Sequence, residues 1–535
     1  MRSYVFLLAI FCLASLCVPS SLSADERSAS QAAEQFNVIY PEGLLELDPH
    51  QANTVLTAQL HTALYEGLVT LDPRTLLPEP ALAEDWTISK DEKVYTFRIR
   101  KGVLFSDGTP LDAYSFYRSF LRLVDPNIPK EYAYLLDGVK NVARYRLNKE
   151  GSISDLGLRV LSPWVFEITL EYPIPYFLSL LAHHAFVPIS SYQLPVMWKD
   201  YSRIAYSGPY VVSKYSAESM HLVKNPFYWD KDNVNIPELN ITMSNDALQN
   251  TVMFDNSKSD WVLGPFDPKS LKKRSALKIN PSFSTQFFYF ADDHPAFQDI
   301  RVREALFLLI PWQELRNLYS TPALGLVPTL PKSLGYSSFQ GFKTDKKRAF
   351  KLLARAGYPQ GRGLPELVIA TSYIHDNAAK TIASAWLQLD TTVRVFVPEG
   401  DYFDYLDHNK PTLAAYGWVA DYLDPIAFLS LFASTNPLNK SIYKDPVYDR
   451  FLFSSNLRKN KSRMRILSDA ESTLLNSFVV VPVNHPPSSG LIDLTIIRGW
   501  YENPLDIHPF KYLSFGVNED IRKSMIGRFI SYGES

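Results

Sequence analysis

The sequence predicts a mixed α/β protein with more than one domain. Residues 93–100 alternate apolar and polar side chains as a half-buried strand does, whereas residues 113–124 carry apolar side chains at helical spacing. The chain of 535 residues is longer than one hydrophobic core normally supports, which corresponds to roughly three to four domains. Its 46% hydrophobic and 21% charged residues are typical of a folded globular protein.

Strand and helix patterns continue along the chain. A turn sequence, SDGTP at residues 106–110, separates the first strand from the first helix. Since the sequence has no internal repeat and no long Gly/Ser linker, the domain borders must follow from changes of pattern. The 37 prolines indicate many fixed turns and extended connections. Further strands are predicted at 165–170, 286–290, 367–370, 393–397 and 479–483, and further helices at 301–310, 344–356 and 376–389.

The N-terminus has the pattern of a secretory signal peptide. One basic residue, Arg2, precedes an apolar run over residues 4–18 that is too short to span a bilayer comfortably and is followed by small residues. We expect residues 1–23 to be the signal peptide, with cleavage near residue 23 or 24. Both cysteines, Cys12 and Cys17, lie in this segment, so the mature chain is expected to have no disulfide. An imperfect lipidation box before Cys17 leaves a lipid anchor as the alternative.

Composition and motifs argue against nucleic-acid binding, metal chemistry and catalysis. With 54 basic and 56 acidic residues, the chain lacks the positive charge of a nucleic-acid binder. The sequence contains no phosphate loop, zinc motif or nucleophile elbow, and we predict no enzyme activity, no metal site and no cofactor. His183 and His184 would point about 100° apart in a helix, which is poor geometry for a shared metal. We interpret the pair as a partly buried polar spot beside Phe186.

Three stretches of the chain resemble one protein family. They are residues 83–86 (AEDW) followed by 94–110 (VYTFRIRKGVLFSDGTP), residues 297–306 (FQDIRVREAL) and residues 414–425 (AAYGWVADYLDP). All are similar to segments of the extracytoplasmic peptide-binding proteins of ABC importers, and GWVADY within the third is similar to the oligopeptide-binding branch. Weaker likenesses keep their order and spacing from about residue 36 to 515. One departure is Ser115, where the family pattern has an aspartate.

The resemblance implies an α/β, three-domain periplasmic binding protein of the large, type II peptide-binding class. Domain I would be assembled from residues 24–65, 200–289 and 491–535. Domain II would take residues 66–199 and pack at the side, and domain III would take residues 290–490. In this class domain III closes over domain I, and the ligand cleft lies between the two.

The resemblance also implies a role for the third stretch. In this family the aspartate of the motif binds the α-ammonium group of a peptide, and by position that role falls on Asp421. From the residues alone, a turn acid before Pro425 or a partner of an internal arginine stay open as alternatives. Trp418 would form the wall of a side-chain pocket. The backbone of Gly417 and Val419 would hydrogen-bond an extended peptide as an added strand.

Further ligand contacts follow from the same resemblance. Tyr132 falls where the family has a ligand-contacting tyrosine, and His375 matches a pocket histidine. Asn53 and Val55 lie on a ligand-facing stretch of domain I. Tyr422, at the end of the motif, completes the predicted site. Aromatic and β-branched residues also fill protein cores, so packing is the alternative role for these positions.

The end of the cleft that would hold a ligand carboxylate departs from the family. The oligopeptide-binding branch carries an arginine two residues before the glycine of the motif, whereas this chain has Ala415. His408 and Lys410 are nearby cations, but the segment is one residue shorter and gives no secure alignment. The sequence therefore does not predict how a ligand carboxylate would be held.

We predict that the protein is the substrate-binding component of an ABC importer. It would be a monomer that captures short peptides in the periplasmic space and delivers them, without catalysis, to a permease driven by ATPase subunits. Nucleic acid is not an expected partner, and the membrane would be contacted only through the permease or through a lipid on Cys17. The alternatives are another cargo (a dipeptide, a cell-wall peptide, haem or a nickel chelate), an extracellular hydrolase, and a surface adhesin or sensor.

Overall fold

The computed structural model describes residues 35–517, apart from 129, 191–197, 199 and 373–375. The predicted signal peptide, both cysteines and His375 lie outside the described residues. Helices pack on three larger β-sheets, so the predicted mixed α/β class is confirmed. Within the described ranges, no helix is both long and apolar enough to cross a membrane.

The described part of the chain forms twenty strands. They are β1 (Gln35–Tyr40), β2 (Val69–Leu71), β3 (Pro78–Pro80), β4 (Ala83–Ile88), β5 (Val94–Ile99), β6 (Leu158–Ser162), β7 (Val165–Thr169), β8 (Tyr210–Tyr215), β9 (Ser219–Lys224), β10 (Glu238–Met243), β11 (Trp261–Val262), β12 (Leu277–Asn280), β13 (Ser284–Phe290), β14 (Leu367–Ala370), β15 (Val393–Phe396), β16 (Leu413–Val419), β17 (Val480–Asn484), β18 (Ser488–Ile492), β19 (Ile497–Arg498) and β20 (Ser514–Phe515). The predicted strands correspond to β5, β7, β13, β14, β15 and β17.

Fourteen α-helices are formed by the same described residues. They are α1 (Val55–Leu64), α2 (Ala113–Leu123), α3 (Val142–Asn148), α4 (Phe177–Leu181), α5 (Ala247–Asp255), α6 (Pro295–Gln298), α7 (Ile300–Leu309), α8 (Trp312–Asn317), α9 (Lys346–Arg355), α10 (Asp376–Trp386), α11 (Tyr402–His408), α12 (Ile426–Leu429), α13 (Pro446–Asn456) and α14 (Asn460–Leu475). The predicted helices correspond to α2, α7, α9 and α10.

The largest sheet has seven strands in the order β12-β18-β11-β1-β10-β9-β8. Its central strand β1 runs parallel to β10 and β11, and the other pairs are antiparallel. Phe36, Trp261 and Phe510 are buried in the core on this sheet. Because β1, β8 to β12 and β18 come from distant parts of the chain, the sheet is assembled from discontinuous segments.

The second sheet has five strands in the order β15-β14-β16-β13-β17. β14 is parallel to β15 and β16, whereas β13 is antiparallel to β16 and β17. Helix α7 packs against this sheet: the ring centroids of Phe307 and Phe290 lie 6.2 Å apart. Trp386 of α10 donates from Nε1 to the carbonyl of Leu306 at 3.0 Å. These contacts hold α7 and α10 against the five-stranded sheet. Strand β16 of this sheet contains part of the third sequence stretch.

The third sheet is the antiparallel array β4-β5-β7-β6, covered by α2. Phe120 of α2 meets Phe166 edge to face at 5.6 Å. Ser115 is the third residue of the helix and closes a capping box: its N–H donates to Asp112 Oδ1 at 3.1 Å, and its Oγ accepts from the Asp112 N–H at 3.3 Å. The departure from the family pattern at this position is therefore accommodated within the helix terminus.

The division into three domains at the stated borders stays a prediction, but two strands differ from it. β13 was assigned mostly to domain I, yet it pairs with β16 and β17. β18 begins before the predicted border at residue 490, yet it pairs with β11 and β12 of the seven-stranded sheet. A strand belongs to the sheet whose neighbours complete its hydrogen bonds, and a local apolar pattern does not reveal those neighbours.

A buried acid in α14 makes the stability depend on pH. Glu471 accepts hydrogen bonds from the Val327 N–H at 2.8 Å and the Tyr336 hydroxyl at 2.9 Å. Burial nevertheless raises the pKa of Glu471 to about 7 from 4.5. As the pH rises between these values, the unfolded chain loses this proton while the folded protein keeps it, so the free energy of unfolding should fall. The full effect amounts to about 3 kcal/mol.

Urea denaturation at about pH 5 and about pH 7.5 checks this expectation. The variant Glu471→Gln lacks the titration, so its stability should change less between the two pH values than that of the unaltered protein. Burial also raises the pKa of Asp260 to about 6, which changes stability in the same direction. Since Asp260 is present in both proteins, its contribution cancels in the comparison. Equal pH dependence of the two proteins would contradict the role of Glu471.

Candidate functional site

A cavity of about 1050 Å³ lies between the N-terminal part of the chain and the five-stranded sheet. It is at the upper limit of ordinary small-molecule pockets, which measure about 300–1,000 Å³. Distant parts of the chain meet around it: the start of α1, the segments near residues 125–133 and 182–187, the end of β16 and the segment 505–511. The cavity is therefore large enough for a ligand longer than one amino acid.

Most of the predicted site residues meet at this cavity. Asp421, the centre of the prediction, lines it together with Trp418, Gly417, Val419, Tyr132, Asn53 and Val55. Tyr422 is a correction: it is buried and stacks on Tyr176 with ring centroids 4.9 Å apart and planes 4° apart. An aromatic ring in this register faces the core, so Tyr422 supports the wall of the cavity and does not line it.

Strand β16 is paired along its whole length on one side only. Its residues from Leu413 to Val419 face β13, from Phe290 to Ser284. On the other side β14 pairs only with Leu413 and Ala414. The carbonyl of the next residue, Ala415, accepts from the Tyr402 hydroxyl at 2.9 Å. Beyond that point, no strand of the described residues pairs with this edge.

The alternation of a β-strand identifies the backbone groups at this open edge. The Ala420 N–H donates to the Phe283 carbonyl at 2.9 Å, so the backbone groups of residue 420 point toward β13. Successive residues point to opposite sides. The N–H and C=O groups of Gly417 and Val419 therefore point away from β13, toward the open edge. Gly417 is exposed and Val419 is half-buried.

The side chains of β16 add an aromatic surface beside this edge. The rings of Tyr416 and Trp418 are nearly parallel, with centroids 6.5 Å apart. Phe403 of α11 meets Tyr416 edge to face at 5.8 Å. The Trp418 Nε1–H is buried and has no hydrogen-bond partner among the described residues. This donor lies in the wall of the cavity.

Asp421 follows two residues after β16. Its side chain is 16% exposed, and its Oδ1 lies 3.5 Å from Nε2 of His183. In the part of the chain that the structure describes, Asp421 forms no ion pair with a lysine or arginine. The internal arginine pairs with a different acid: Arg463 donates to the two oxygens of Asp424 at 2.6 Å and 2.9 Å. The alternative that Asp421 balances an internal arginine is therefore wrong.

Histidine and tyrosine rings line the cavity beside Asp421. The Tyr132 ring centroid lies 4.4 Å from that of His183 and 5.5 Å from that of His184. His184 in turn meets His61 at 5.4 Å. Burial lowers the pKa of His184 well below its ordinary value and that of His61 to about 4, so both rings are neutral near pH 7.

His183 is the residue that sequence reasoning missed. The interpretation as a polar spot beside Phe186 is partly right, since the two rings lie 6.0 Å apart. However, 238 positions of sequence separate His183 from Asp421, and no local pattern links them.

Over the described ranges, no group of three or more His, Cys, Asp or Glu side chains is arranged to hold a metal ion.

Ala415 occupies the position, two residues before Gly417, where the oligopeptide-binding branch has an arginine. It is buried in β16 and supplies no charge. Most cations that line the cavity already have an acidic partner: Arg146 pairs with Asp137, Lys440 with Asp407 and Lys511 with Glu66. Lys130 also lines the cavity but forms no ion pair with another described residue. Burial and the nearby Arg122 lower the pKa of Lys130.

The sequence profile of the bacterial extracellular solute-binding proteins, family 5 (middle region), matches residues 78–440. This range is more than half of the chain. The chain belongs to this family. The resemblance stated from the three sequence stretches is therefore confirmed.

Relatives match nearly the whole length of this solute-binding protein. The periplasmic oligopeptide-binding protein OppA of Salmonella typhimurium is 28% identical over 517 residues, which cover 92% of this chain and 94% of the relative. The crystal structure of a periplasmic oligopeptide-binding protein from Borrelia burgdorferi is 27% identical, with a TM-score of 0.79, and the match covers 90% of this chain and 100% of that one. The predicted fold class is thereby confirmed.

A third relative exists in two structures that differ in their likeness to this chain. The murein tripeptide-binding protein MppA of Escherichia coli, 24% identical, has a TM-score of 0.79 over 90% of this chain and 98% of its own. Its unliganded open form has a TM-score of only 0.66 at 97% coverage of its own chain. The fold described here is thus nearer to the first of these structures than to the open form.

The two neighbouring acids Asp421 and Asp424 should respond differently to truncation. Asp424→Ala leaves the buried Arg463 without its counter-charge, and the free energy of unfolding should fall by about 3–5 kcal/mol. Asp421→Ala removes no hydrogen bond to another described residue and eliminates a mostly buried, incompletely paired charge, so the free energy of unfolding should not fall. Urea denaturation of both variants without ligand tests this. A large loss for Asp421→Ala would mean that its carboxylate is structural.

Proposed function

We propose that this protein captures short peptides in the cavity and delivers them to a membrane permease driven by separate ATPase subunits. The main support for the proposal is strand β16, which pairs with β13 along its whole length but with β14 only at its start. Its open edge ends near Asp421, which forms no ion pair with a lysine or arginine among the described residues. An extended peptide offers the two matching features, a row of backbone groups and a free ammonium group. The named oligopeptide-binding and murein tripeptide-binding relatives support this cargo.

The backbone of the ligand would bind as an added strand beside β16. Peptides bind in this way where a sheet edge is open, because main-chain hydrogen bonds do not depend on the ligand sequence. The groups of Gly417 and Val419 that point away from β13 are in position for these bonds. Gly417 has open space where a side chain would stand: a Cβ there would meet only Gln286 Cγ, at 4.0 Å. A peptide backbone can therefore approach closely at this residue.

The ammonium group of the peptide would pair with Asp421. At 4 Å and an effective dielectric constant of about 20, this pair gains about 4 kcal/mol of Coulomb energy. In the free protein the carboxylate is mostly buried without a full counter-charge, so the ligand would replace contacts with water. The charge of the N-terminus would thus supply a contribution that is the same for every peptide.

The side chains of the ligand would face aromatic walls. Trp418 and Tyr132 would contact the first residues of the peptide, and Asn53 and Val55 would contact it from the side of α1. A cavity of about 1050 Å³ leaves room for water between these walls and smaller side chains. Binding would therefore tolerate many sequences.

The same site needs no catalytic step to perform this function. Capture, closure and release of an unchanged ligand are sufficient for delivery to a permease, and family membership as an extracellular solute-binding protein agrees with this. We therefore propose a non-enzymatic, periplasmic role, with the permease and the ATPase subunits as the protein partners.

Asp421→Asn tests the ammonium contact. Affinity for peptides with a free N-terminus should fall by roughly 30-fold to several-thousand-fold, since the loss of a buried charge partner costs about 2–5 kcal/mol. The unaltered protein should bind free peptides much more tightly than their N-acetylated forms, and the variant should discriminate less. Isothermal titration calorimetry measures both values.

Asp407→Asn is the matched control, because Asp407 is a carboxylate that lines the same cavity but already pairs with Lys440 at 2.6 Å. The affinity of the Asp407→Asn variant for free peptides should stay within a few-fold of that of the unaltered protein. If the unaltered protein binds free and acetylated peptides equally well, Asp421 does not bind the ammonium group.

Val419→Pro tests the added strand. Proline removes the N–H that points to the open edge, and a residue without a partner strand on that side tolerates this change. Peptide affinity should fall about tenfold while thermal stability changes little. Val419→Ala keeps the N–H and is the control for the side chain. Equal affinities of the proline and alanine variants would rule out this backbone contact.

A further inference from the structure

His183 lines the cavity beside Asp421, where the ligand N-terminus is proposed to bind. Its side chain is 5% exposed, and Nε2 has no hydrogen-bond partner among the described residues. A buried donor without a protein partner costs free energy unless a ligand or water satisfies it. The Asp421 Oδ1 atom lies 3.5 Å from Nε2, too far for a normal hydrogen bond.

The surrounding structure determines which ring nitrogen carries the proton. The backbone N–H of Ala185 donates to His183 Nδ1 at 3.2 Å, so Nδ1 must be the acceptor. In a neutral imidazole the proton is then on Nε2, which is a donor. The proton on Nε2 therefore follows from the hydrogen bond that Nδ1 accepts on the other side of the ring.

Neighbouring rings hold His183 in this orientation. The ring centroid of His184 lies 4.0 Å away and that of Tyr132 lies 4.4 Å away, on a different segment of the chain. His184 is fixed in turn by its Nε2–H, which donates to the carbonyl of Ala52 at 3.0 Å. The imidazole of His183 is thus packed between aromatic neighbours and its donor is directed before any ligand arrives.

Asp421 and His183 together present an acceptor and a donor 3.5 Å apart. The N-terminal residue of a peptide presents the complementary pair, because its ammonium nitrogen and its carbonyl oxygen are separated by only two backbone atoms and lie roughly 3 Å apart. An isolated amine, such as a lysine side chain or a polyamine, has the ammonium group but no neighbouring carbonyl.

We propose that His183 is a specificity-determining residue that donates from Nε2 to the carbonyl oxygen of the first ligand residue. This inference rests on the proposed binding of the peptide ammonium group by Asp421. The two side chains then recognise an α-aminoacyl group as a unit, and the cleft distinguishes the N-terminus of a peptide from other amines.

A cycle of two proteins and two ligands tests this contact. The ligands are trialanine and its analogue with an E-alkene in place of the first peptide bond, which lacks the first carbonyl. The variant His183→Phe keeps an aromatic ring between Tyr132 and His184 but lacks the donor. For each protein, the affinity for trialanine is divided by the affinity for the analogue. This ratio should be about tenfold larger for the unaltered protein than for the variant. Loss of the ligand N–H affects both proteins equally and cancels.

The outcomes separate this inference from the proposed function. If both proteins show the same preference for trialanine, His183 does not bind the carbonyl, although peptide capture stands. If the unaltered protein binds neither trialanine nor the analogue, peptide capture itself fails, and the inference fails with it. His183→Gln, which places an amide donor near Nε2, should restore part of the preference that the phenylalanine variant loses.

A measurement on the unaltered protein covers the case in which the phenylalanine variant does not fold. With ¹⁵N-labelled histidine, the NMR shifts of His183 should show the proton on Nε2 both before and after trialanine binds, with a change at Nε2 on binding. A proton on Nδ1, or no change at Nε2, would overturn the proposal.

Discussion

The site depends on a carboxylate that the fold leaves without a full partner. Asp421 is mostly buried, yet in the described ranges it forms neither an ion pair with a lysine or arginine nor a hydrogen bond. Buried charges are costly unless they are paired, which is why we propose an ammonium ligand at this position. The structure supplies counter-charges at other buried acids near the cavity: Asp48 pairs with Arg122, Glu66 with Lys511 and Asp424 with Arg463.

The position of Asp421 follows from the unequal pairing of β16. The strand is rigid because β13 pairs with all seven of its residues, while β14 leaves its other edge after Ala414. The Tyr402 hydroxyl satisfies the carbonyl of Ala415, and the open edge begins beyond it. A rigid open edge binds a ligand backbone with little loss of protein entropy. In the proposed function, affinity would therefore come from groups common to all peptides, while Trp418 and the other walls would adapt to side chains.

Much of this arrangement could be predicted from the sequence, because it is local. The motif around Asp421 and most strands near it have patterns that a single sequence displays, and Asp421 lines the cavity. Long-range relations could not be predicted. The approach of His183 to Asp421, the pairing of Arg463 with Asp424, and the membership of β13 in the second sheet all depend on tertiary packing between distant segments.

Mass spectrometry can identify the small molecules that co-purify with the protein and are released by denaturation. If the cleft binds peptides through Asp421, these molecules should be a mixture of short peptides of varied sequence, all with free N-termini. The same preparation from the Asp421→Asn variant should be depleted of them. A single non-peptide compound, or peptides with blocked N-termini retained equally by the variant, would contradict the claim that the cleft binds peptides through Asp421.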